Sequence, residues 1–298
     1  MRVLIVGPGY VGLALGRELV QRGHEVFGLR RSGDASGELQ AAGIHALVGD
    51  VTRPETLLDL PSQFDWVVNC VSSSYGGADD YRRVYLQGAR NLLARLEHTP
   101  PAKLVYTSST GVYGQNDGSL VDETAPTEPS NETGRVLVET ERVFLEAARE
   151  RNFPAVVLRV AGIYGPGRGW WFKQFLAGEA RIEGEGRRTL NMIHRDDVAG
   201  CIIAALERGR PGEIYNAVDD EPVTQRDFFA WLAAKLNRPM PPSAPEDAET
   251  SRKRGVTNKR ITNRKLKAEL GYAFRYPTFR EGYGEEIKLL GQWSDKRR

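Results

Sequence analysis

Cysteine is scarce in this sequence. Cys70 and Cys201, the only two among 298 residues, lie far apart in apolar stretches and share no paired spacing, which argues against a disulfide framework or a metal site. An excess of one charge is missing as well. The 41 Lys and Arg against 39 Asp and Glu leave a net charge of +2, so no global field draws the chain to nucleic acid or to an anionic membrane. No apolar run approaches the roughly 20 residues that span a bilayer, and the first residues read as a strand rather than a charged leader with an apolar core. These absences point to a soluble protein in a reducing, cytoplasmic setting, with no metal and no membrane or nucleic-acid partner. With 40% hydrophobic residues, the chain has enough apolar material for a large core, as one large domain or two moderate ones.

What is present is concentrated first at the amino end. The apolar run Val3-Leu4-Ile5-Val6 meets Gly7-Pro8-Gly9-Tyr10-Val11-Gly12, an amphipathic segment carrying Leu13, Leu15 and Leu19 follows, and Val26-Phe27-Gly28-Leu29 is a second apolar run. Strand, glycine turn, helix and strand in that order are the setting in which the spacing of Gly7, Gly9 and Gly12 binds a dinucleotide. One glycine makes the turn, one lets the backbone approach the pyrophosphate and one allows the helix to pack on the strand. The phosphates then meet the unpaired N–H groups of the helix start, at Tyr10 and Val11. An acidic residue about twenty positions past the glycines would bond the ribose 2′-hydroxyl of NAD. Arg30 and Arg31 stand there instead, which suits a 2′-phosphate and predicts NADP(H), with NAD as the alternative.

Further along, strand and helix patterns alternate. Ala46-Leu47-Val48 ends at Gly49-Asp50-Val51, which puts Asp50 and Val51 at the same sheet edge as the glycines, Asp50 as an acceptor for the adenine amino group. Thr52 and Glu55 have capping-box spacing and predict a helix start. The run Asp65–Val71 reads as a strand buried on both faces, followed by a polar loop in which Val71 and Ser72 would meet the cofactor. A long helix over 79–97 and a strand at 103–106 complete four alternations. The fold class expected is α/β, a Rossmann-type doubly wound parallel sheet with right-handed crossovers.

Five motifs then follow in order: Thr107-Ser108-Ser109-Thr110-Gly111-Val112-Tyr113-Gly114, Arg159–Arg168, Asn191–Ala199, Gly212–Ala217, and Leu270-Gly271-Tyr272 with Tyr276–Gly282. Together they resemble the extended short-chain dehydrogenase/reductase family, the NAD(P)-dependent nucleotide-sugar epimerases and dehydratases, over nearly the whole chain. The resemblance implies a cofactor domain of residues 1–160 and 194–218 and a substrate lobe of 161–193 and 219–298. It also implies a small-molecule substrate, a nucleotide sugar among the candidates, and is compatible with a homodimer.

The implied active site is incomplete. The family uses an Asn, a Ser or Thr, and a Tyr-x-x-x-Lys pair in which the Lys makes the phenol useful near neutrality. Ser109 matches the hydroxyl. The register of the catalytic helix puts Asn131 at the Tyr position and Arg135 at the Lys position, where Arg135 keeps the charge and could hold ribose hydroxyls as a planar fork rather than a point charge. The Asn of the earlier helix is replaced by Tyr85. No Tyr-x-x-x-Lys follows Ser109 anywhere, and Thr110-Gly111 lacks the acidic pair of sugar dehydratases. Two readings remain open. Either Tyr85 is a replacement phenol in an epimerase or reductase acting on a hydroxyl or carbonyl, or Tyr85 is a core aromatic and the protein is a non-catalytic NADP(H)-binding regulator.

For the substrate, Arg168 is the candidate for an anionic group and Trp170, beside Trp171, for a stacking wall. His194 lacks a partner at any triad spacing and reads as structural. The basic run from Arg252-Lys253-Arg254 to Lys259-Arg260, Arg264-Lys265 and Lys267 lacks interleaved aromatics and reads as a solvated face, with Lys259 and Arg260 available to a phosphorylated substrate.

Overall fold

The computed structural model describes residues 1–33, 36–245 and 257–295, so Arg252, Lys253 and Arg254 of the basic run lie outside the described residues. The chain begins with β1 (Arg2–Val6), α1 (Tyr10–Gln21), β2 (Glu25–Arg30), α2 (Ser36–Ala41) and β3 (His45–Val48). β4 (Trp66–Asn69) follows, then a helix in two parts, α3 (Ala78–Tyr81) and α4 (Gly88–Leu96), joined without a break by a π-helical segment, Arg82–Gln87. Next come β5 (Lys103–Ser109), the short β6 (Leu120–Val121), α5 (Glu132–Arg151) and β7 (Ala155–Val160).

The remaining elements are β8 (Gly162–Tyr164), α6 (Trp170–Ala177), β9 (Thr189–Leu190), β10 (Met192–His194), α7 (Arg195–Arg208) and β11 (Ile214–Ala217). They are followed by β12 (Val223–Thr224), α8 (Gln225–Leu236), β13 (Arg260–Ile261), α9 (Arg264–Leu270) and α10 (Phe279–Asp295).

Seven strands form the parallel central sheet, in the order β11-β7-β5-β4-β1-β2-β3. β1 pairs with β2 on one side and β4 on the other, so the strand order reverses between β1 and β4. In a doubly wound sheet the crevice at the carboxyl ends of that pair is where ligands bind. The apolar runs occupy its middle as expected: Val3, Leu4, Ile5, Val67, Val68, Leu104 and Val105 are fully buried. One core lies on each face of the sheet, which is why these strands are apolar on both sides instead of alternating.

A third core is aromatic-rich and built from Tyr164, Phe172, Phe175, Phe228, Phe229, Phe279 and Tyr283. The Thr224 and Asp227 cap is present: Thr224 Oγ1 accepts from the Asp227 N–H at 3.1 Å and donates to Asp227 Oδ2 at 2.6 Å. The Thr52–Glu55 capping box is not. Pro54–Leu57 is a single 3₁₀ turn without a side-chain cap, because the Thr52 N–H is taken by Asp50 Oδ1 at 2.9 Å and Thr56 Oγ1 bonds the Asp50 carbonyl. An Asx turn at Asp50 has displaced the helix start.

Candidate cofactor cleft and active site

Gly7, Gly9 and Gly12 close one end of a cleft of about 600 Å³ at the β1–β4 switch point. Gly7 has φ +80°, and a Cβ there would stand 2.8 Å from the Val71 Cα. At Gly12 a Cβ would meet Cys70 Sγ and Ile5 Cγ2 at 3.0 Å. α1 starts at Gly9 with no side-chain cap and no acidic residue in its first turn, so its positive end faces the cleft and the backbone lies bare beside it. A pyrophosphate fits such a site. Tyr10 and Val11 line it. The Tyr10 hydroxyl donates to the Pro166 carbonyl at 3.1 Å, the guanidinium groups of Arg168 and Arg195 lie 5.0 and 5.2 Å from its ring centre, and burial pushes its pKa up to about 12.

A second cavity of about 300 Å³ continues from Gly7 and Gly9 along the ends of β2 and β3, lined by Arg30, Arg31, Ser32, Asp50, Val51, Ser72 and Ser74 among others. It lies where the fingerprint would put an adenosine. The two arginines differ in employment. Arg30 Nε and Nη2 donate to the Pro8 carbonyl at 3.0 and 2.5 Å, and Nη2 also meets Glu38 Oε2 at 3.0 Å. Arg30 thus props the glycine turn. Among the described residues, Arg31 Nη2 donates to Ser74 Oγ alone, at 2.8 Å.

At the other end, Ser109 lines both the cleft and a third cavity of about 280 Å³. Its Oγ accepts from the Gly111 N–H at 3.1 Å, which holds the turn after β5. Trp170, 67% exposed, and the segment Ala161-Gly162-Ile163 also border both cavities. Arg168 and Lys173 stand on the cleft side, whereas Arg188, Asn191, Thr257 and Lys259 stand on the other. Lys259 is 4% exposed and Nζ donates to the Tyr113 carbonyl at 2.7 Å and to Thr257 Oγ1 at 2.8 Å. Arg260 is elsewhere. Neighbouring residues of an extended segment point to opposite sides, and Arg260 is exposed with Nε on the Gly118 carbonyl, which corrects the expectation that both cations face one site.

The register expected for the catalytic helix shifts by two. Asn131 is the N-cap of α5, its Oδ1 accepting from the Gly134 N–H at 2.7 Å and Thr133 Oγ1 at 2.8 Å, and Arg135 is exposed with Nη1 3.4 Å from the Ser130 carbonyl. Neither lines the cleft. The α5 side chain that does is Leu137, and Thr133 lies one turn before it on the same stripe. Tyr85 does reach the cleft, from the π-helical segment, with its hydroxyl accepting from the Ser73 N–H at 3.3 Å. It is absent from the lining of the third cavity. Single π turns recur at functional sites because they re-aim one side chain.

Sequence reading missed the floor of the site. Ser108 Oγ donates to Glu141 Oε1 at 2.5 Å, Arg159 pairs with the same carboxylate, and Arg159 Nη1 donates to the Tyr113 hydroxyl at 2.8 Å, which in turn donates to Asn216 Oδ1 at 2.8 Å. The signal was an Arg inside an otherwise apolar strand pattern and a Glu on the buried face of a helix. Cys70 lines the cleft, but burial pushes its thiol up to about 12, so it is not a thiolate nucleophile near neutral pH.

Residues 3–217 match the NAD dependent epimerase/dehydratase family. The chain is 31% identical to Protein YeeZ of Escherichia coli K12 over 288 residues, covering 93% of this chain and 96% of that one. It is 27% identical to a 2-alkyl-3-oxoalkanoate reductase of Stenotrophomonas maltophilia over 255 residues, 80% of this chain and 77% of that one. Among solved structures, the dTDP-glucose 4,6-dehydratase DesIV of Streptomyces venezuelae with NAD and TYD bound superposes with a TM-score of 0.82 at 22% identity, covering 97% of this chain and 96% of that one; at that identity the likeness is one of fold.

Proposed function

This chain belongs to the NAD-dependent epimerase/dehydratase family, and from that membership we propose that it is an NADP(H)-dependent oxidoreductase interconverting a carbonyl and a hydroxyl on a small anionic molecule. The observation that carries this reading is the position of Ser109 at the junction of two cavities, one bordered by the glycine turn and the other by the cations Arg188 and Lys259. When bound, the nicotinamide would supply or accept the hydride. The residues of the chain do the rest. The glycine turn and α1 hold the pyrophosphate, Asp50 and Val51 border the adenine, Arg31 with Ser74 receives the 2′-phosphate, and Val71, Ser72 and Tyr85 border the ribose side.

Ser109 hydrogen-bonds the reacting oxygen. Trp170 shields that point from water, and Arg168 on one side and Arg188 on the other attract the anionic part of the substrate. The relative named as an oxoalkanoate reductase supports an oxo acid, and the arrangement of the cations equally accepts a nucleotide sugar. The test is to titrate the protein with NADPH and NADH, then follow nicotinamide absorbance and product stereochemistry against a panel of 3-oxo acids and sugar nucleotides. Turnover of one panel member with NADPH is expected. Tight NADPH binding with no turnover would instead make the protein a cofactor-binding regulator.

A further inference from the structure

A buried lysine without a counter-charge stands in the cavity beyond Ser109. Lys259 is 4% exposed, and among the described residues no carboxylate lies within ion-pair distance of its Nζ. Its partners are the Tyr113 carbonyl and the Thr257 hydroxyl, and among the described residues the only other cation lining the cavity is Arg188, whose Nε bonds the Thr257 carbonyl at 3.2 Å. An unpaired ammonium is costly to bury. If its task were only to tie β13 to the turn after β5, an uncharged donor would do it at lower cost. An ammonium also has three N–H bonds, of which the described residues take two, leaving one for the cavity.

The other proton carriers on that wall are unsuited. Tyr164 and Tyr283 stack at 4.4 Å, and burial raises both phenols well above their ordinary range. Arg188 keeps its proton at any working pH, and the hydroxyls of Ser109 and Thr110 are far weaker acids than an ammonium. Burial moves Lys259 the useful way, lowering its pKa to about 8. Among the described residues, α5 puts only Leu137 on the cleft, Glu141 one turn on being committed to Ser108 and Arg159, and Tyr85 faces the cofactor half.

We propose that Lys259 is the proton donor and acceptor of the reaction, delivering a proton to the substrate oxygen that Ser109 holds. The proposal rests on the oxidoreductase reading above. Reduction of a carbonyl needs one hydride, which the nicotinamide cofactor supplies, and one proton. The π electron pair of the carbonyl moves to oxygen, the O–H bond forms as an Nζ–H bond of Lys259 breaks, and the neutral amine takes a proton back from water. In the oxidative direction the same amine accepts the hydroxyl proton.

The experiment compares wild type with Lys259→Arg and Lys259→Met on the substrate found in the panel, with NADPH binding followed by fluorescence and the Nζ signals of the ¹⁵N-lysine protein titrated by NMR. A positioned acid is worth roughly 10²–10⁴ in rate. Expected are a fall of at least about a hundredfold in kcat for both variants, unchanged NADPH affinity, loss in Lys259→Arg of the wild-type decline in reduction rate above about pH 8, and one lysine signal titrating near pH 8 in wild type. A variant with wild-type kcat and the same pH profile overturns the acid role alone. So does a set of lysine signals that all titrate near the ordinary value, a readout that stands even if both variants fail to fold. Wild type that binds NADPH and turns over nothing overturns the oxidoreductase reading and the acid role with it.

Discussion

Arg159 and Glu141 form a bidentate ion pair beneath the cleft: Nη2 lies 2.7 Å from Oε2, Nε lies 3.1 Å from each oxygen, and the side chains are 5% and 2% exposed. Because Ser108 and Tyr113 bond the same two groups, the pair ties α5, β5 and β7 together under the residues that line the cleft. Removing one partner leaves the other buried and uncompensated. Glu141→Ala is therefore expected to lose about 3–5 kcal/mol of stability by urea denaturation. The double variant Glu141→Leu/Arg159→Met, which removes both charges, should recover much of that loss. A Glu141→Ala protein within about 0.5 kcal/mol of wild type would show that the pair is not a structural anchor.

The unequal employment of the two arginines after β2 gives a second expectation. Arg30 is committed to the Pro8 carbonyl and Glu38, whereas Arg31 holds, among the described residues, only the Ser74 hydroxyl. Arg31→Ala should weaken NADPH at least tenfold, about 1.4 kcal/mol, and leave NADH nearly unchanged. Arg30→Ala should weaken both together by loosening the glycine turn. Calorimetric titration of each variant with each cofactor decides it, and equal losses of NADPH and NADH affinity in Arg31→Ala would remove the case for a 2′-phosphate site.

Much of this was legible in the sequence because it depends on local backbone requirements. Gly7 and Gly12 face atoms at 2.8–3.0 Å where a Cβ would sit, so strand, turn and helix are encoded within twelve residues. The register that the family resemblance gives α5 is off by two for an equally local reason. Asn131 is a good N-cap, and its bonds to Gly134 and Thr133 set where α5 begins, which the family pattern does not weigh. Lys259 and Arg260 are adjacent and chemically alike, and only the strand's alternation separates an inward cation from an outward one. The Glu141–Arg159 pair joins residues 18 positions apart, and Arg188 comes from a charged, glycine-containing stretch, Arg181–Arg188, with no sustained apolar periodicity. Long-range pairings of that kind leave no periodic trace.

Tyr85 and Ser109 line the same cleft but separate in their surroundings, since Tyr85 meets the Ser73 backbone and Ser109 alone of the two reaches the third cavity. Tyr85→Phe is expected to keep kcat within about threefold and to raise the Kd for NADPH modestly, by the roughly 0.5–1.5 kcal/mol of one hydrogen bond. Ser109→Ala should do the reverse, lowering kcat at least tenfold, roughly 1.4 kcal/mol, with little change in cofactor binding. Loss of turnover in Tyr85→Phe with intact NADPH binding would return the phenol to the chemistry.

His194 makes the stability of the protein depend on pH in a definite direction. It is 2% exposed, caps α7 by accepting the Asp196 N–H on Nδ1 at 3.2 Å, and packs on Tyr276 and Tyr164. Burial lowers its pKa from 6.5 to about 4. The folded state therefore binds this proton more weakly than the unfolded chain. The stability associated with the neutral ring is fully present above pH 6.5 and is lost as the pH falls toward 4, by on the order of 3 kcal/mol if the whole shift is expressed. Protonation also removes the lone pair that caps the helix. The buried carboxyls of Asp197 and Asp219 have raised pKa values and act with the opposite sign, gaining stability on acidification, so the total pH curve mixes both. A difference measurement separates them. His194→Asn keeps a cap acceptor without a titrating ring, and the gap in unfolding free energy between wild type and variant should narrow or invert in favour of the variant between pH 7 and pH 4.5. A gap that stays constant across that range would mean that His194 is not kept neutral by its burial.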